Sequence, residues 1–133
     1  MNTDKNKIFD RDSLNALSER VIGAVYEVAN GLGAGFLEKV YERALMRELA
    51  LRGIRVVAQA PFSVSYKGQR VGDYFADVLV EDALVVELKC VGRLGNEHMA
   101  QCLNYLKASR LELCLLVNFQ KSQVEVRRVV LGH

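Results

Sequence analysis

Two apolar runs carry charges where strands normally have none: Asp73-Tyr74-Phe75-Ala76-Asp77-Val78-Leu79-Val80 and, after Glu81-Asp82-Ala83, Leu84-Val85-Val86-Glu87-Leu88-Lys89. Side chains alternate across a β-strand, so Glu87 and Lys89 share one face while Val86 and Leu88 take the other. If Glu81 to Ala83 connect two antiparallel strands, Val80 pairs with Leu84 and Asp77 falls opposite Glu87. Any connection of odd length keeps that parity. Like charges across a ladder repel, so the arrangement is unfavourable unless a lysine, a proton or a divalent cation offsets it. Hard carboxylate oxygens with few imidazoles or thiolates nearby favour Mg²⁺ or Mn²⁺, which keep waters and leave positions open for a phosphate. The chemistry this permits is metal-assisted attack of water on a phosphate ester. Asp77 and Glu87 would hold the cation, and Lys89 would orient the water or steady charge developing on phosphorus.

Taken alone, the Glu-x-Lys triplet reads better as an ion pair on the solvated face of a hairpin, which contributes little. Asp77 at matching parity, the apolar opposite face and the polar groups of a helix just downstream together outweigh that reading. On that helix His98, Gln101 and Tyr105 fall at i, i+3 and i+7, one polar stripe on a segment that also carries Leu103 and Leu106. Against a site role, Tyr105 fits a hydrogen-bonded core edge and His98 a solvent-facing position. Glu38 opens another helix with Tyr41 and Leu45 three and seven residues on, at the edge of its buried face. A first-turn glutamate by itself merely complements the helix dipole. Tyr41 could contact a substrate, although tyrosine on an apolar helical face more often packs with its hydroxyl tethered. Gly31, Gly33 and Gly35 have neither a preceding strand nor a following GK[ST], so they shape a turn rather than cradle a phosphate.

The elements around these residues follow from periodicity. Asp12 or Ser13 can cap a first helix whose Leu14, Leu17, Val21, Val25 and Val28 form one face and which stops at Asn30-Gly31. A second helix uses Leu37, Val40, Tyr41, Ala44, Leu45 and Leu49 and ends before Gly53. From Ile54 the pattern becomes that of strands: Phe62, Val64 and Tyr66 alternate with polar residues, and Lys67-Gly68-Gln69 reads as a hairpin. Pro61 marks a bend or an edge. Strands then cover Tyr74 to Val80 and Leu84 to Cys90, a third helix Asn96 to Ala108, and two last strands Leu113 to Val117 and Val124 to Val130 across a turn from Gln120 to Gln123. The third helix is long enough for a right-handed crossover, which makes the Leu84 and Leu113 strands parallel. The expected fold is α/β, ordered α-α-β-β-β-α-β-β, with a mixed sheet of an antiparallel meander and one parallel crossover.

A chain of 133 residues with one proline suits a single domain, read as 13–133 behind a flexible polar tail, 1–12. Half the residues are hydrophobic and about a quarter charged, which argues against disorder. A net charge of +2 gives no bulk attraction for polyanions, so any such surface must come from local clustering or a bound cation. The absence of a bilayer-length apolar run and of a signal-peptide core points to the cytoplasm and away from membranes. Cys90, Cys102 and Cys114 sit in apolar segments without a CxxC pair and read as buried reduced thiols.

These residues resemble the PD-(D/E)XK nuclease superfamily, in which an acid on one strand precedes a (D/E)xK triplet on the next, here Asp77 and Glu87-Leu88-Lys89. Ala76 stands in place of the proline that names the motif. More closely, the chain is similar to the bacterial GxxExxY proteins, because Gly35-Phe36-Leu37-Glu38-Lys39-Val40-Tyr41 reproduces that signature. The likeness runs from about Val21 to Val130 and includes Leu32-Gly33-Ala34-Gly35, Tyr66-Lys67-Gly68, Gln101-Cys102-Leu103-Asn104-Tyr105-Leu106 and Leu116-Val117-Asn118-Phe119. Ala29 departs from it, since many relatives carry a histidine just ahead of the glycine-rich segment.

The resemblance implies a restriction-endonuclease-like αβββαβ core with an extra N-terminal helix and C-terminal strand. It implies hydrolysis of phosphodiester bonds in nucleic acid, DNA ahead of RNA, by a Mg²⁺- or Mn²⁺-activated water, leaving a 5′-phosphate. It adds Glu38 and the Leu88 backbone carbonyl to Asp77 and Glu87 as metal ligands. Gln101 and Tyr105 match a QxxxY spacing like that of RecB-type nucleases, with Gln101 supporting catalysis and Tyr105, His98 and Tyr41 as substrate contacts. A chain this short has little material for reading sequence, so a homodimer or partner protein would supply specificity. The competing expectation is an inactive nuclease-fold binding module, or a subunit of a nucleic-acid-processing or defence complex.

Overall fold

The computed structural model describes residues 9–120 and 123–132. Most of the expected polar tail (1–8), residues 121 and 122 of the last expected turn, and residue 133 lie outside them.

Helix α1 (Arg11–Leu32) buries Leu14, Leu17, Val21, Val25 and Val28, the face its spacing implies, with Ser18 and Ala24 in the same stripe. Its cap is Asp10, whose Oδ1 accepts from the Ser13 amide at 2.7 Å. Asp12 and Ser13 therefore lie inside the first turn rather than capping it, and Arg11 and Asp12 belong to the helix rather than the tail. A helix can start a turn ahead of its first core residue when an acceptor in extended backbone precedes it. At the other end α1 passes Asn30-Gly31 and stops at Gly33, where φ of 74° is open to glycine at no steric cost.

Helix α2 (Glu38–Leu51) buries Tyr41, Glu42, Leu45 and Leu49. Leu37 and Val40, expected on that buried face, are instead 78% and 37% exposed, Leu37 as the cap residue and Val40 on the first turn.

Strands β1 (Val56–Tyr66), β2 (Gln69–Val80), β3 (Leu84–Lys89), β4 (Leu113–Asn118) and β5 (Glu125–Val130) form one sheet in that order, with helix α3 (Asn96–Ser109) between β3 and β4. All neighbours are antiparallel except β3 and β4, which are parallel as the crossover implies. Lys67 and Gly68 close the β1–β2 hairpin with φ of 47° and 81°, the positive pair that matches strand twist. Pro61 sits in edge strand β1, where a missing donor is tolerated.

The sheet has a helical layer on each face. Helices α1 and α2 cover Val78, Val80, Leu84, Val86, Leu88, Leu115 and Val117. Helix α3 covers Ala76, Val85, Cys114, Leu116 and Val129 through Cys102, Tyr105 and Leu106. All three cysteines are free, Cys102 and Cys114 buried and Cys90 half-buried.

The turn between β2 and β3 is Glu81 to Ala83, and Val80 pairs with Leu84 as the sequence implies. Arg55 braces it: its amide donates to Glu81 Oε2 at 2.7 Å and its guanidinium to Asp82 Oδ2 at 2.9 Å. The β2–β3 ladder runs through Leu79↔Val85 to Val78↔Val86, so Asp77 and Glu87 are the next residues out. At the same level the hairpin exchanges faces: Val56 and Val78 pack under α1 and α2, whereas Phe62, Tyr74 and Ala76, of equal parity, pack under α3. The switch coincides with Gln59, whose φ of 52° turns β1 over locally.

Candidate active site

Glu87 is set by β3, whose flanking residues Val86 and Leu88 are fully buried; Glu87 itself is only 2% exposed. Asp77 lies where β2 parts from β3. There its Oδ2 accepts from the Leu88 amide at 2.8 Å, while the Asp77 amide faces Glu87 Oε2 at 3.5 Å. A carboxylate thus takes over from the ladder at the point of divergence, and the two acids meet. Burial first, and then the Asp77 charge, push the Glu87 pKa up to about 9, with Lys89 pulling the other way. Without a cation, Glu87 therefore holds a proton at neutral pH.

From α3, the Tyr105 hydroxyl donates to Glu87 Oε1 at 3.4 Å and accepts from Gln101 Nε2 at 3.1 Å. Burial foremost, and then the Glu87 and Asp77 charges, raise the Tyr105 pKa, so the phenol stays a donor. Gln101 and Tyr105 are thus drawn to the acids by their i, i+4 spacing.

From α2 comes Glu38, exposed as a residue, yet with a carboxyl pKa raised by crowding around it and then by Asp77, against the pull of Lys89. Glu38 and Glu87 therefore each feel the charges of Asp77 and Lys89. Glu42, buried one turn later, accepts from Lys39 Nζ at 2.9 Å and from Gln59 Nε2 at 2.9 Å, and the same Gln59 amide donates to Asp77 Oδ1 at 3.2 Å. Gln59 and Glu42 were missed by sequence reasoning. Glu42 could have been found from its i, i+4 relation to Glu38.

The other end of the site is pinned by Asn118, fully buried beside Lys89 in the parallel ladder. Its Nδ2 donates to the Val91 carbonyl at 2.8 Å and its Oδ1 accepts from the Val91 amide at 3.1 Å, while the Phe119 amide donates to the Lys89 carbonyl at 2.9 Å. These bonds fix where β3 ends and hence where Lys89 projects.

Two expected substrate contacts make structural bonds. The His98 Nδ1 accepts from the Gly95 amide at 2.9 Å and closes the first turn of α3. Tyr41 is fully buried; its hydroxyl donates to the Gly33 carbonyl at 2.5 Å and accepts from the Phe36 amide at 3.2 Å, and its ring stacks on Phe119 at 4.4 Å. That is the packed, tethered arrangement. Leu88 donates its amide to Asp77 and buries its side chain under α1 and α2.

Among the described residues, no group of three or more His, Cys, Asp or Glu side chains stands ready to hold a metal ion. The donor set is a carboxylate pair with further acids one layer out. It fits Mg²⁺, which binds through one or two carboxylates, waters and a substrate phosphate rather than in a protein cage. No helix among the described residues is long and apolar enough to cross a membrane.

A comparison with curated proteins finds no match. Among solved structures, the chain is similar to one described as "Crystal structure of SSO0001", with a TM-score of 0.58 and 16% identity. The match covers 71% of this chain and 50% of that one, so this chain spans about half that protein's length. At that identity the likeness concerns the fold alone, and the fold is restriction-endonuclease-like. A sequence profile of the PD-(D/E)XK nuclease superfamily matches residues 15–129, a span that includes both acids, the lysine and all of the sheet but the last residue of β5. The chain belongs to the PD-(D/E)XK nuclease superfamily.

Proposed function

We propose that the chain hydrolyses phosphodiester bonds in nucleic acid, DNA ahead of RNA, with Asp77, Glu87 and Lys89 at the centre of the site. The observation that carries this is the meeting of two carboxylates at the point where β2 and β3 part, one of them buried and raised to a pKa of about 9. A divalent cation, Mg²⁺ or Mn²⁺, would be held by Asp77 and Glu87, with Glu38 and the Leu88 carbonyl completing its surroundings. When bound, it supplies positive charge against the scissile phosphate and a lowered pKa for the attacking water.

The chain's own groups do the rest. To serve as a ligand, Glu87 would give up its proton. The Lys89 ammonium has no hydrogen-bond or ion-pair partner among the described residues, which leaves it available to the phosphate and the water. Gln101, through Tyr105, keeps the Glu87 carboxylate aimed. Gln59 does the same for Asp77. Within the superfamily, the signature Gly35 to Tyr41 supports a reading of the chain as one of the GxxExxY proteins. The chain from α1 onward acts as one domain in the cytoplasm, with specificity supplied by a homodimer or a partner protein.

The second reading is a binding module without activity, since among the described residues no third His, Cys, Asp or Glu side chain joins the Asp77 and Glu87 pair. Incubation with end-labelled oligonucleotides and Mg²⁺ or Mn²⁺, beside a Lys89→Ala control, separates the two. Loss of one transition-state donor costs about 10²–10³ in rate. Equal cleavage by both proteins, or none by either, contradicts the enzyme.

A further inference from the structure

Helix α2 begins in an unusual way. Its cap position is Leu37, which makes no side-chain cap bond and is 78% exposed, where serine, threonine, aspartate or asparagine would satisfy a free amide. Beside it, Phe36 is 48% and Val40 37% exposed. Neither capping nor core packing accounts for apolar side chains here, and contiguous ones mark contact surfaces.

The segment is tethered through Phe36, and Glu38 within it feels the Asp77 and Lys89 charges. The Tyr41 hydroxyl ties the Gly33 carbonyl to the Phe36 amide, and the Phe36 ring meets the edge of Tyr41 at 6.2 Å. Tyr41 stacks on Phe119, whose amide holds the Lys89 carbonyl at 2.9 Å. On the other side, Lys39 reaches Asp77 through Glu42 and Gln59. Two independent chains of contacts thus run from the start of α2 to the two flanks of the site.

A second copy of the chain fits the patch poorly. A stable interface takes about 800 Å² and 20–30 residues per partner, and this patch is three apolar residues interrupted by Glu38 and Lys39. Nucleobases fit it well, since their flat apolar faces pack on aromatic and aliphatic side chains without regard to sequence. In an intact duplex those faces are stacked on one another. We infer that Phe36, Leu37 and Val40 form a nucleobase contact beside the carboxylates, and that the substrate is a single-stranded or frayed nucleic acid. This rests on the phosphodiester reading above and narrows its substrate.

The chain contains no tryptophan, so Phe36→Trp introduces a single indole at the patch. In a Lys89→Ala background with Mg²⁺, a single-stranded oligonucleotide should quench that indole, while a blunt duplex of the same sequence should not. By anisotropy, Phe36→Ala with Leu37→Ser should weaken single-strand binding about tenfold or more. The slope of log affinity against log salt should stay unchanged, because apolar contacts release no counterions. Circular dichroism checks that the variants fold. Oligonucleotide binding seen by anisotropy with a silent indole would overturn the patch alone. Equal quenching by the duplex would overturn the single-strand assignment, and self-association that hides the indole would assign the patch to a second copy. No binding of any oligonucleotide would remove the phosphodiester reading as well.

Discussion

Replacing Glu87 by glutamine should change how the metal-free protein's stability depends on pH. The Glu87 carboxyl stands at about 9 in the fold against 4.5 for an unperturbed glutamate. Between those values the unfolded chain is ionised at this position while the folded chain keeps its proton. The folded state thus binds one proton more, and stability falls as pH rises. The loss is about 1.4 kcal/mol per pH unit, or about 4 kcal/mol between pH 5 and pH 8, a large part of the roughly 5–15 kcal/mol that holds a domain together. Glutamine keeps the shape and cannot ionise. Urea denaturation in EDTA at pH 5, 6, 7 and 8 should therefore show Glu87→Gln gaining on wild type by about that slope. Taking the difference cancels Glu38, whose raised pKa acts with the same sign in both proteins. Parallel stability curves would refute the reasoning.

Tyr41→Phe leaves the Gly33 carbonyl and the Phe36 amide without their shared partner, and should lower stability by about 1–3 kcal/mol in urea denaturation while cleavage by the folded fraction is kept. Gln59→Ala removes one hydrogen-bond donor from each of Glu42 and Asp77 and should weaken Mn²⁺ binding about 10–100-fold, measured by calorimetric titration. Asn118→Ala removes the clamp on Val91 and should cost about 1–3 kcal/mol in urea denaturation; stability equal to wild type would show that the clamp holds nothing.

Where the sequence was informative, one short-range rule was enough. The three residues from Glu81 to Ala83 set Val80 against Leu84, and parity then carried Asp77 to Glu87. The length between β3 and β4 settled their parallel pairing. What stayed hidden depends on backbone irregularities. Ser65 pairs with Arg70 but Val64 with Gly72, so Val71 is an extra residue that moves the register by one. Counting back from the hairpin turn without that bulge sets Gln59 opposite Ala76 rather than level with Asp77. The positive φ at Gln59 then reverses the faces, which no alternation of residue types announces. Leu37 and Val40 looked like core because residue type says nothing about whether another layer covers them.

The account stands on Asp77 and Glu87 gripping one divalent ion between them. A titration of the purified chain with Mn²⁺, reading free ion by electron paramagnetic resonance, tests this directly. One site per chain that disappears in Asp77→Asn and in Glu87→Gln, but persists in the surface change Glu97→Gln, is the predicted result. Binding that survives both site substitutions, or no binding in the wild type, would contradict it.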